Sequence, residues 1–233
     1  MSKLQKLSRE KIAWRAAQEF KNGMVINLGV GIPTYASIFV PKDKEVIFQS
    51  ENGILGVGPL AKDGEENLNL VNASQQKVTT VKGACFFDCV ESFAMLRGGH
   101  IDLAMLGAFE VSQKGDLANW TLERTDVPPA VGGVMDIVAG AKEIWVLMEH
   151  CTKDGLPRLV EQCSYALTAQ SVVKRIFTDL AVLRVTEEGF LVEESLADLD
   201  FDTLQAKTGA VLRKSPHWKP LEVPDIKQDN LQV

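Results

Sequence analysis

The sequence predicts an α/β fold: an open, mainly parallel β-sheet flanked by helices. Two continuous apolar runs, at 103–106 and 144–148, are typical of parallel strands that are buried on both faces. Patterns typical of strands and of helices also alternate along the chain, as expected when helices connect parallel strands. No internal repeat or low-complexity linker interrupts the 233 residues, so we predict a single domain over residues 1–233.

The first half of the chain begins with a predicted amphipathic helix. Ser8 is a suitable N-cap, apolar residues then recur at helical spacing, and Asn22-Gly23 ends the pattern, so we predict a helix over 8–22. A short apolar strand at 24–28 follows. The remaining predictions for this half are a helix at 34–40, a strand at 45–48, an excursion with little regular structure at 56–77, and a helix at 85–97.

In the second half, the two buried strands are followed by one more helix and one more strand. We predict the helix at 169–177 and the strand at 180–185. The end of the chain contains Pro216, Pro220 and Pro224, and proline fits neither the interior of a helix nor the middle of a sheet. We therefore predict an extended C-terminal tail over residues 215–233.

The bulk composition excludes several classes of partner. The net charge is -6, and the chain has no run of five like charges, which argues against nucleic acid or an anionic membrane as a partner. No apolar run approaches the ~18 residues of a membrane span. The N-terminal residues also lack the apolar core of a secretory signal, so we expect a cytoplasmic protein.

The four cysteines form no Cys-x-x-Cys pair, which argues against a metal site or a disulfide. Cys85 and Cys89 lie four residues apart within the predicted helix at 85–97, among phenylalanines. We expect both to be buried free thiols on one helical face. His100 and His150 have no evident Ser or Cys nucleophile as a partner, and we expect structural roles for both histidines.

A glutamate between a strand and a glycine-rich loop is the strongest candidate for catalysis. Glu51 follows the apolar run at 45–48 and precedes three glycines within the next seven residues. Glycines remove side chains and let backbone N–H groups approach a ligand. A carboxylate here can act as a general base, a metal ligand or a nucleophile, or can simply cap the strand. No Asp or His cluster with ligand spacing lies nearby, so we expect no metal.

Several stretches resemble one enzyme family. Residues 48–56, Phe-Gln-Ser-Glu-Asn-Gly-Ile-Leu-Gly, resemble the active-site signature of the B subunits of 3-oxoacid coenzyme A (CoA) transferases. The resemblance runs from about Ile12 to about Val211, and a long ordered series of motifs is more specific than any one of them. The other stretches that carry it are 27–34, 97–102, 106–108, 114–120, 132–136 and 148–150.

The resemblance implies a glutaconate CoA-transferase-like fold and a nucleophilic role for Glu51. In this family the carboxylate attacks an acyl-CoA thioester and becomes an enzyme–CoA thioester, so coenzyme A is a substrate and no separate cofactor is required. The resemblance also implies that the backbone N–H groups around Gly107 and Ala108 face the reacting carbonyl and the thiol end of CoA. Such donors would stabilise the oxyanion of each acyl transfer.

The remaining site predictions concern the loops beside Glu51. Asn27, Gly29 and Gly31 follow the strand at 24–28, and we expect this glycine turn to border the site and to accept anionic groups. Asn27 either hydrogen-bonds the ligand or Glu51, or holds the turn. We predict that three further residues surround and support Glu51 without reacting themselves: Ser50, Asn52 and Gly53.

The resemblance also bears on substrates and partners. The loop at 129–136, with 107–109 and 111–112, resembles the 3-oxoadipate type, so 3-oxoadipate is favoured as the acid, acetoacetate is next, and succinyl-CoA is the expected donor. Lys and Arg are sparse around 27–34 and 50–59, and a homologous A subunit, in an αβ or α₂β₂ complex, is expected to hold the phosphates of CoA. The alternatives are a sugar-phosphate isomerase of related architecture, which would need a Lys or Arg near the site, and a non-catalytic CoA-binding module.

Overall fold

We describe the protein from a computed structural model that covers residues 5–123, 126 and 128–226. Its helices are α1 (Arg9–Ala17), a 3-10 helix (Ile32–Phe39), α2 (Cys89–Arg97), α3 (Val134–Gly140) and α4 (Phe201–Ala206). Its strands are β1 (Val25–Leu28), β2 (Ile47–Ser50), β3 (Ile54–Leu60), β4 (Val78–Phe86), β5 (Leu103–Leu106), β6 (Glu110–Ser112), β7 (Leu117–Ala118), β8 (Glu143–Leu147), β9 (Leu159–Val160), β10 (Val173–Phe177), β11 (Ala181–Thr186), β12 (Gly189–Ser195) and β13 (Leu212–Pro220).

Ten of these strands form one sheet, in the order β13-β12-β11-β10-β8-β5-β1-β2-β3-β4. The five strands from β10 to β2 run parallel to one another. Antiparallel pairs flank them on both sides, and the edge strand β13 is again parallel to β12. Every residue of β5 is buried, as its continuous apolar run predicted. The predicted α/β class, with a mainly parallel sheet and helices, is therefore confirmed. A second, smaller sheet has the order β7-β6-β9.

Three neighbouring parallel strands place their following loops at one edge of the sheet. Leu28 of β1 lies opposite Met105 of β5, and Asn27 of β1 lies opposite Gln49 of β2. Because the carboxyl ends of parallel strands meet at the same edge, the loops after β5, β1 and β2 meet there too, where ligands bind in open α/β sheets. These loops contain most of the predicted site residues, and the other two, Asn27 and Ser50, lie at the carboxyl ends of β1 and β2.

The N-terminal helix begins where the sequence predicted. The hydroxyl of Ser8 accepts a hydrogen bond from the backbone N–H of Lys11, which caps α1. Its apolar face is almost completely buried in the hydrophobic core: Ile12, Ala13, Ala16 and Ala17. The helix ends at Ala17, five residues before the predicted end at Asn22.

A buried ion pair connects α1 to β12, the second strand from one edge of the large sheet. The guanidinium of Arg15 donates two hydrogen bonds, of 2.7 and 2.6 Å, to the carboxylate of Glu194 on β12. Burial alone lowers the pKa of Arg15, but the hydrogen bonds and charges of Glu194 and Glu19 outweigh it and raise the pKa above its usual value. The pair therefore stays ionised in the core.

The predicted helix at 169–177 is wrong, because this segment enters the sheet as β10. Ser171 has a φ angle of 54°, in the left-handed region, and this conformation interrupts a helix. After it, Val173, Ile176 and Phe177 are buried and β10 pairs in parallel with β8. The apolar spacing of so short a segment fits a helix and a buried strand equally well, so periodicity could not separate them.

The predicted helix at 85–97 begins four residues late. Asp88 caps α2 by accepting a hydrogen bond of 2.9 Å from the backbone N–H of Glu91, so the helix starts at Cys89. Cys85 instead belongs to β4, where it lies opposite Leu55. Both cysteines are exposed free thiols, so the expectation of two buried thiols on one helical face is wrong.

Three other segments differ from the predictions in kind or extent. The helix expected at 34–40 is the 3-10 helix, and β3 occupies the start of the excursion expected at 56–77. At the C-terminus, β13 runs parallel to β12 as far as Pro220, on a sheet edge where proline is tolerated. Residues 221–226 have no regular structure, and residues 227–233 of the predicted tail lie outside the described residues.

Along the described ranges, no helix is long and apolar enough to cross a membrane.

Candidate active site

Glu51 lies in the tight turn between β2 and β3. Ser50 and Ile54 pair across this antiparallel hairpin, and the backbone N–H of Gly53 donates a hydrogen bond of 3.0 Å to the carbonyl of Ser50. Gly53 has a φ angle of 113°, and a Cβ there would run into the carbonyl oxygen of Phe87. Only glycine fits this position, so the turn that presents Glu51 is fixed by local sterics.

A buried amide lies beneath the Glu51 carboxylate. Asn27 is fully buried, and its Nδ2 donates to Gln49 Oε1 at 2.6 Å and lies 3.4 Å from Glu51 Oε2. Gln49 in turn donates to the hydroxyl of Ser92 at 2.7 Å. This chain of hydrogen bonds runs from α2 through β2 to β1, and it orients one N–H donor toward the partly exposed carboxylate of Glu51. Oδ1 of Asn27 has no partner among the described residues.

The loop after β5 carries two free backbone donors. Within the described residues, the N–H groups of Gly107 and Ala108 donate no hydrogen bond. The carbonyl of Gly107 accepts a hydrogen bond of 3.1 Å from Nδ2 of Asn119, and Thr168 holds the other end of that amide at 2.7 Å. Because a trans peptide points its C=O and N–H in opposite directions, Asn119 also fixes the direction of the Ala108 N–H.

Glu51 and this loop line the same cavity, which has a volume of about 590 Å³. This volume is enough for a small organic ligand. The lining comes from residues 29–30, Glu51, Ala73, 106–109, Asn119, 130–134, Ile137 and Arg158. Glu51 and Arg158 are its charged side chains within the described part of the chain, and the rest of the lining is mainly apolar or glycine.

A glycine segment before α3 lies beside the side chain of Glu51. A Cβ built on Gly133 would lie 3.7 Å from Glu51 Cγ and would collide with the ring of Phe93. Phe93 belongs to α2, and α2 is tied to α3 by an ion pair of 2.8 Å between Arg97 and Asp136. Gly133 therefore lets α3 approach both Glu51 and α2 closely.

A model of the coenzyme A transferase family matches residues 9–197 of the chain. The chain belongs to the coenzyme A transferase family. It is similar to the B subunit of 3-oxoadipate CoA-transferase from Pseudomonas putida, with 50% identity over 214 residues, which cover 92% of the chain and 100% of the relative. It is also similar to the probable B subunit of succinyl-CoA:3-ketoacid coenzyme A transferase from Bacillus subtilis, with 46% identity over 205 residues, which cover 88% of the chain and 94% of the relative.

Solved structures show that this CoA-transferase shares its fold with distant relatives. The chain matches an acyl-CoA transferase from Escherichia coli O157:H7 with a TM-score of 0.71 and 21% identity, over 97% of the chain. It spans only 44% of that longer protein. Glutaconate CoA-transferase from Acidaminococcus fermentans matches with a TM-score of 0.66 and 16% identity, over 95% of this chain and 91% of that one. The predicted glutaconate CoA-transferase-like fold is confirmed.

The structure brings together only some of the predicted site residues of the CoA-transferase. Gly29, Glu51, Gly107 and Ala108 line one cavity, and Asn27 lies directly beneath Glu51. Gly31 lies outside the lining, at the start of the 3-10 helix, with a φ angle of 93°. The catalytic and binding roles of all these residues stay predictions.

The three residues predicted to support Glu51 hold its turn and the loop that follows β3. The hydroxyl of Ser50 accepts a hydrogen bond of 2.8 Å from the backbone N–H of Ala73. Nδ2 of Asn52 donates to the carbonyl of Val71 at 2.8 Å. Together with the Gly53 turn, these bonds place Ala73 in the cavity wall beside Glu51.

Sequence reasoning assigned no role to Arg158, Asn119 or the glycine segment at 132–133 at this site. The sequence region around Glu51 offers no Lys or Arg, yet folding brings Arg158 to its cavity from more than a hundred residues away. Asn119 and Gly132-Gly133 lie in two of the stretches that carry the family resemblance, and this was the signal that could have found them. Arg158 lies outside those stretches, and no local pattern marks it.

Proposed function

We propose that the chain is the B subunit of a heteromeric 3-oxoacid CoA-transferase and that it carries CoA as a thioester on Glu51. The single observation that supports this mechanism best is that Glu51 shares its cavity with Gly107 and Ala108, whose N–H groups make no hydrogen bond within the described part of the chain. A carboxylate nucleophile and preorganised oxyanion donors are the two parts that acyl exchange requires. A cytoplasmic location stays a prediction from composition.

The proposed reaction has two half-reactions that are the reverse of each other. The Glu51 carboxylate attacks the thioester carbonyl of an acyl-CoA, the C–S bond breaks, and a mixed anhydride and free CoA thiolate result. The thiolate then attacks the glutamyl carbonyl, the anhydride C–O bond breaks, and the first acid leaves as a carboxylate. The second acid attacks the glutamyl–CoA thioester, and the same steps run backwards. Each attack forms an oxyanion, which the N–H groups of Gly107 and Ala108 stabilise.

We infer 3-oxoadipate as the favoured acid, acetoacetate as the next candidate, and succinyl-CoA as the donor. The P. putida relative, at 50% identity, is named for 3-oxoadipate, and the B. subtilis relative, at 46%, is named for succinyl-CoA and a 3-ketoacid. The cavity wall at 130–134 contains part of the loop whose sequence favours the 3-oxoadipate type. The two identities are close, so turnover must decide between the acids.

The chain is proposed to act together with a homologous A subunit. Its relatives are named as B subunits, and in the longer E. coli protein the matching part is less than half of the chain. The elements around Glu51 expose apolar side chains that a partner would cover: 64% of Phe86, 69% of Val90 and 55% of Met135 are exposed. Phe86 lies opposite Ile54, at the end of the Glu51 turn, so this surface borders the site.

The surface that contains Phe86 also includes the rest of the edge strand β4, whose outer edge is a second feature typical of an interface. Of its nine residues only Val78 is buried, and its outer edge has no partner strand among the described residues. Unpaired edges are sites where another chain can add. An interface that completes an active site should be permanent, with more than roughly 2,000 Å² of buried surface in total. We expect the isolated chain to have no transferase activity and the complex to be αβ or α₂β₂.

Turnover by the co-purified pair tests this proposal. The pair is assayed with succinyl-CoA and 3-oxoadipate, and separately with succinyl-CoA and acetoacetate, beside the isolated chain and beside a pair that contains Glu51→Gln. The proposal expects activity only in the unmodified pair, with the higher kcat/KM for 3-oxoadipate. Full turnover by the isolated chain would refute the need for a second kind of chain. Unchanged turnover of Glu51→Gln would refute the nucleophile and would favour a non-catalytic CoA-binding module. No transferase turnover by the unmodified pair would favour an isomerase.

A further inference from the structure

Arg158 is the one cationic side chain among the described residues that line the Glu51 cavity. Its backbone is held firmly: the N–H donates to the carbonyl of His150 at 3.1 Å, and the carbonyl accepts from the N–H of Val111 at 3.0 Å. Val111 belongs to β6, which pairs in parallel with β9 directly after Arg158. The position of this residue is therefore set by backbone hydrogen bonds that involve no atom of its side chain.

The guanidinium of Arg158 has no protein partner within the described part of the chain. None of the ion pairs and side-chain hydrogen bonds there includes it, although most other arginines, such as Arg15 and Arg175, contact a carboxylate. Arg158 is also partly shielded from solvent. A guanidinium carries five N–H donors in a planar fork that matches a carboxylate. An unpaired, half-buried fork in a cavity is suited to an anionic ligand.

We propose that Arg158 binds the free carboxylate of a dicarboxylic acyl group, at the end remote from the carbonyl that Glu51 attacks. This inference rests on the proposed function and goes beyond it, because it assigns substrate specificity to a named side chain. Succinyl-CoA and 3-oxoadipate each have such a remote carboxylate, whereas acetoacetate has none. Arg158 would then select dicarboxylic over monocarboxylic acyl groups.

The placement of the charges favours this ligand over the phosphates of CoA. Glu51 and Arg158 line one cavity of about 590 Å³ whose remaining walls are mainly apolar or glycine. The phosphates of CoA are separated from its sulfur by the long pantetheine arm, and so they cannot lie in the cavity that holds the reacting carbonyl. The remote carboxylate of a four- to six-carbon acyl group stays within that cavity. Between such apolar walls an Arg–carboxylate pair is strong and directional.

Single-turnover formation of the enzyme–CoA thioester by the heteromeric complex provides the test. Succinyl-CoA and acetoacetyl-CoA each serve as donor without an acceptor acid, and wild type is compared with Arg158→Met and Arg158→Lys. Arg158→Met should lose about 10- to 100-fold in the second-order rate constant of thioester formation with succinyl-CoA, the range for a lost charge-assisted hydrogen bond. With acetoacetyl-CoA it should change less than about threefold. Arg158→Lys should restore part of the loss, since it keeps the charge without the fork.

Lys114→Met is the matched control, because it removes the same charge from an exposed side chain outside the cavity. It should leave both rates unchanged. An equal loss with both donors would overturn the proposal, since it would mean that Arg158 acts on CoA or on the fold. No loss with either donor would overturn it as well. A wild-type complex that forms no thioester with either donor would instead overturn the proposed covalent mechanism.

A binding measurement tests the role of Arg158 even if the wild-type complex forms no thioester. Calorimetric titration of the complex with adipate and with hexanoate compares a dicarboxylate and a monocarboxylate of equal length. Wild type should bind adipate more tightly than hexanoate by about 10-fold or more, and Arg158→Met should abolish the difference. Equal binding of the two acids by wild type, or a preference for adipate that survives Arg158→Met, would contradict the assigned role.

Discussion

Nδ2 of Asn27 lies 3.4 Å from Oε2 of Glu51 and 2.6 Å from Oε1 of Gln49. The amide is fully buried, so its orientation is set by the protein and not by solvent. The strand β1 therefore provides a fixed donor beneath the carboxylate that we propose as the nucleophile. From the sequence, Asn27 could either hydrogen-bond the ligand or Glu51, or hold the glycine turn. Its contact with Glu51 favours the first role, in which Asn27 positions the Glu51 carboxylate.

Asn27→Asp should slow the formation of the enzyme–CoA thioester by about 10- to 100-fold at pH 7. The substitution places a second carboxylate beside Glu51, and two carboxylates this close resist being ionised together, whereas the attack needs the ionised form. The rate should recover as pH rises. Rapid-quench measurement between pH 6 and 9 checks this, with Asn67→Asp in an exposed loop as the control. A variant with the wild-type rate and pH profile would show that Asn27 has no influence on Glu51.

Gly53→Ala should destabilise the protein by roughly 3 kcal/mol or more, because it combines a strained φ with a collision against the backbone of Phe87. Gly155→Ala is the matched control. Gly155 has a φ angle of 84° and no atom within 4 Å of a built Cβ, so it should lose only the roughly 1 kcal/mol of strain. Urea unfolding measures both variants. Equal losses would mean that the turn can relax around a side chain.

Gly107→Val should fold normally and lose turnover by at least about 10², the usual effect of a lost oxyanion donor. Among the described residues, apart from its two chain neighbours, the nearest atom to a Cβ built there is the carbonyl oxygen of Val30 at 3.8 Å, which is an ordinary contact. The added side chain would therefore meet the ligand and not the protein. Steady-state kinetics and the thermal unfolding midpoint are compared with those of wild type. Near-normal turnover of the folded variant would exclude this loop from catalysis.

The stability of the protein should fall as pH drops from about 6.5 toward 4, in part because of His150. Burial lowers the pKa of this histidine to about 4, and among the described residues its ring nitrogens hydrogen-bond to the hydroxyls of Thr178 and Thr208, at 3.0 and 2.9 Å. In that pH range the unfolded chain binds a proton that the folded chain does not, so stability is complete above the unfolded pKa and is lost below it.

When the pH falls from 7.5 to 5, the free energy of unfolding should decrease by roughly 2 kcal/mol less in His150→Gln than in wild type. Urea unfolding at both pH values provides the measurement. His100→Gln, at an exposed histidine, should keep the wild-type pH dependence. If wild type and His150→Gln lose the same free energy of unfolding over this interval, His150 does not contribute to the acid sensitivity.

The sequence predicted the parts of the fold that local chemistry determines. The Ser8 cap, the buried strand β5 and the glycine turn after Glu51 all depend on residues within a few positions of each other. The segment at 169–177 depends instead on its neighbours in space, since β10 is a strand because it pairs with β8. Cys85 likewise lies on β4 because of its pairing with Leu55.

The candidate site likewise contains residues that the sequence predicted and one that only the folded chain reveals. Glu51, Gly107 and Ala108 follow strands that lie close together in the sheet, so their loops meet at one edge. The sequence predicted that these residues face each other from the family resemblance. Arg158 reaches the cavity from the position directly before β9, a strand of the small second sheet, and nothing in its local sequence indicates that position. The charge that we assign to substrate selection could be found only from the folded chain.

The mass of the peptide that contains Glu51 shows whether this side chain becomes the CoA thioester. The heteromeric complex is incubated with succinyl-CoA in the absence of an acceptor acid, digested under mild acid conditions and analysed by mass spectrometry, beside a complex with Glu51→Gln. We expect a CoA-sized addition on Glu51 of the wild type that disappears when 3-oxoadipate is added, and none in the variant. An adduct on a cysteine such as Cys85, or no adduct in a complex that turns over, would contradict it.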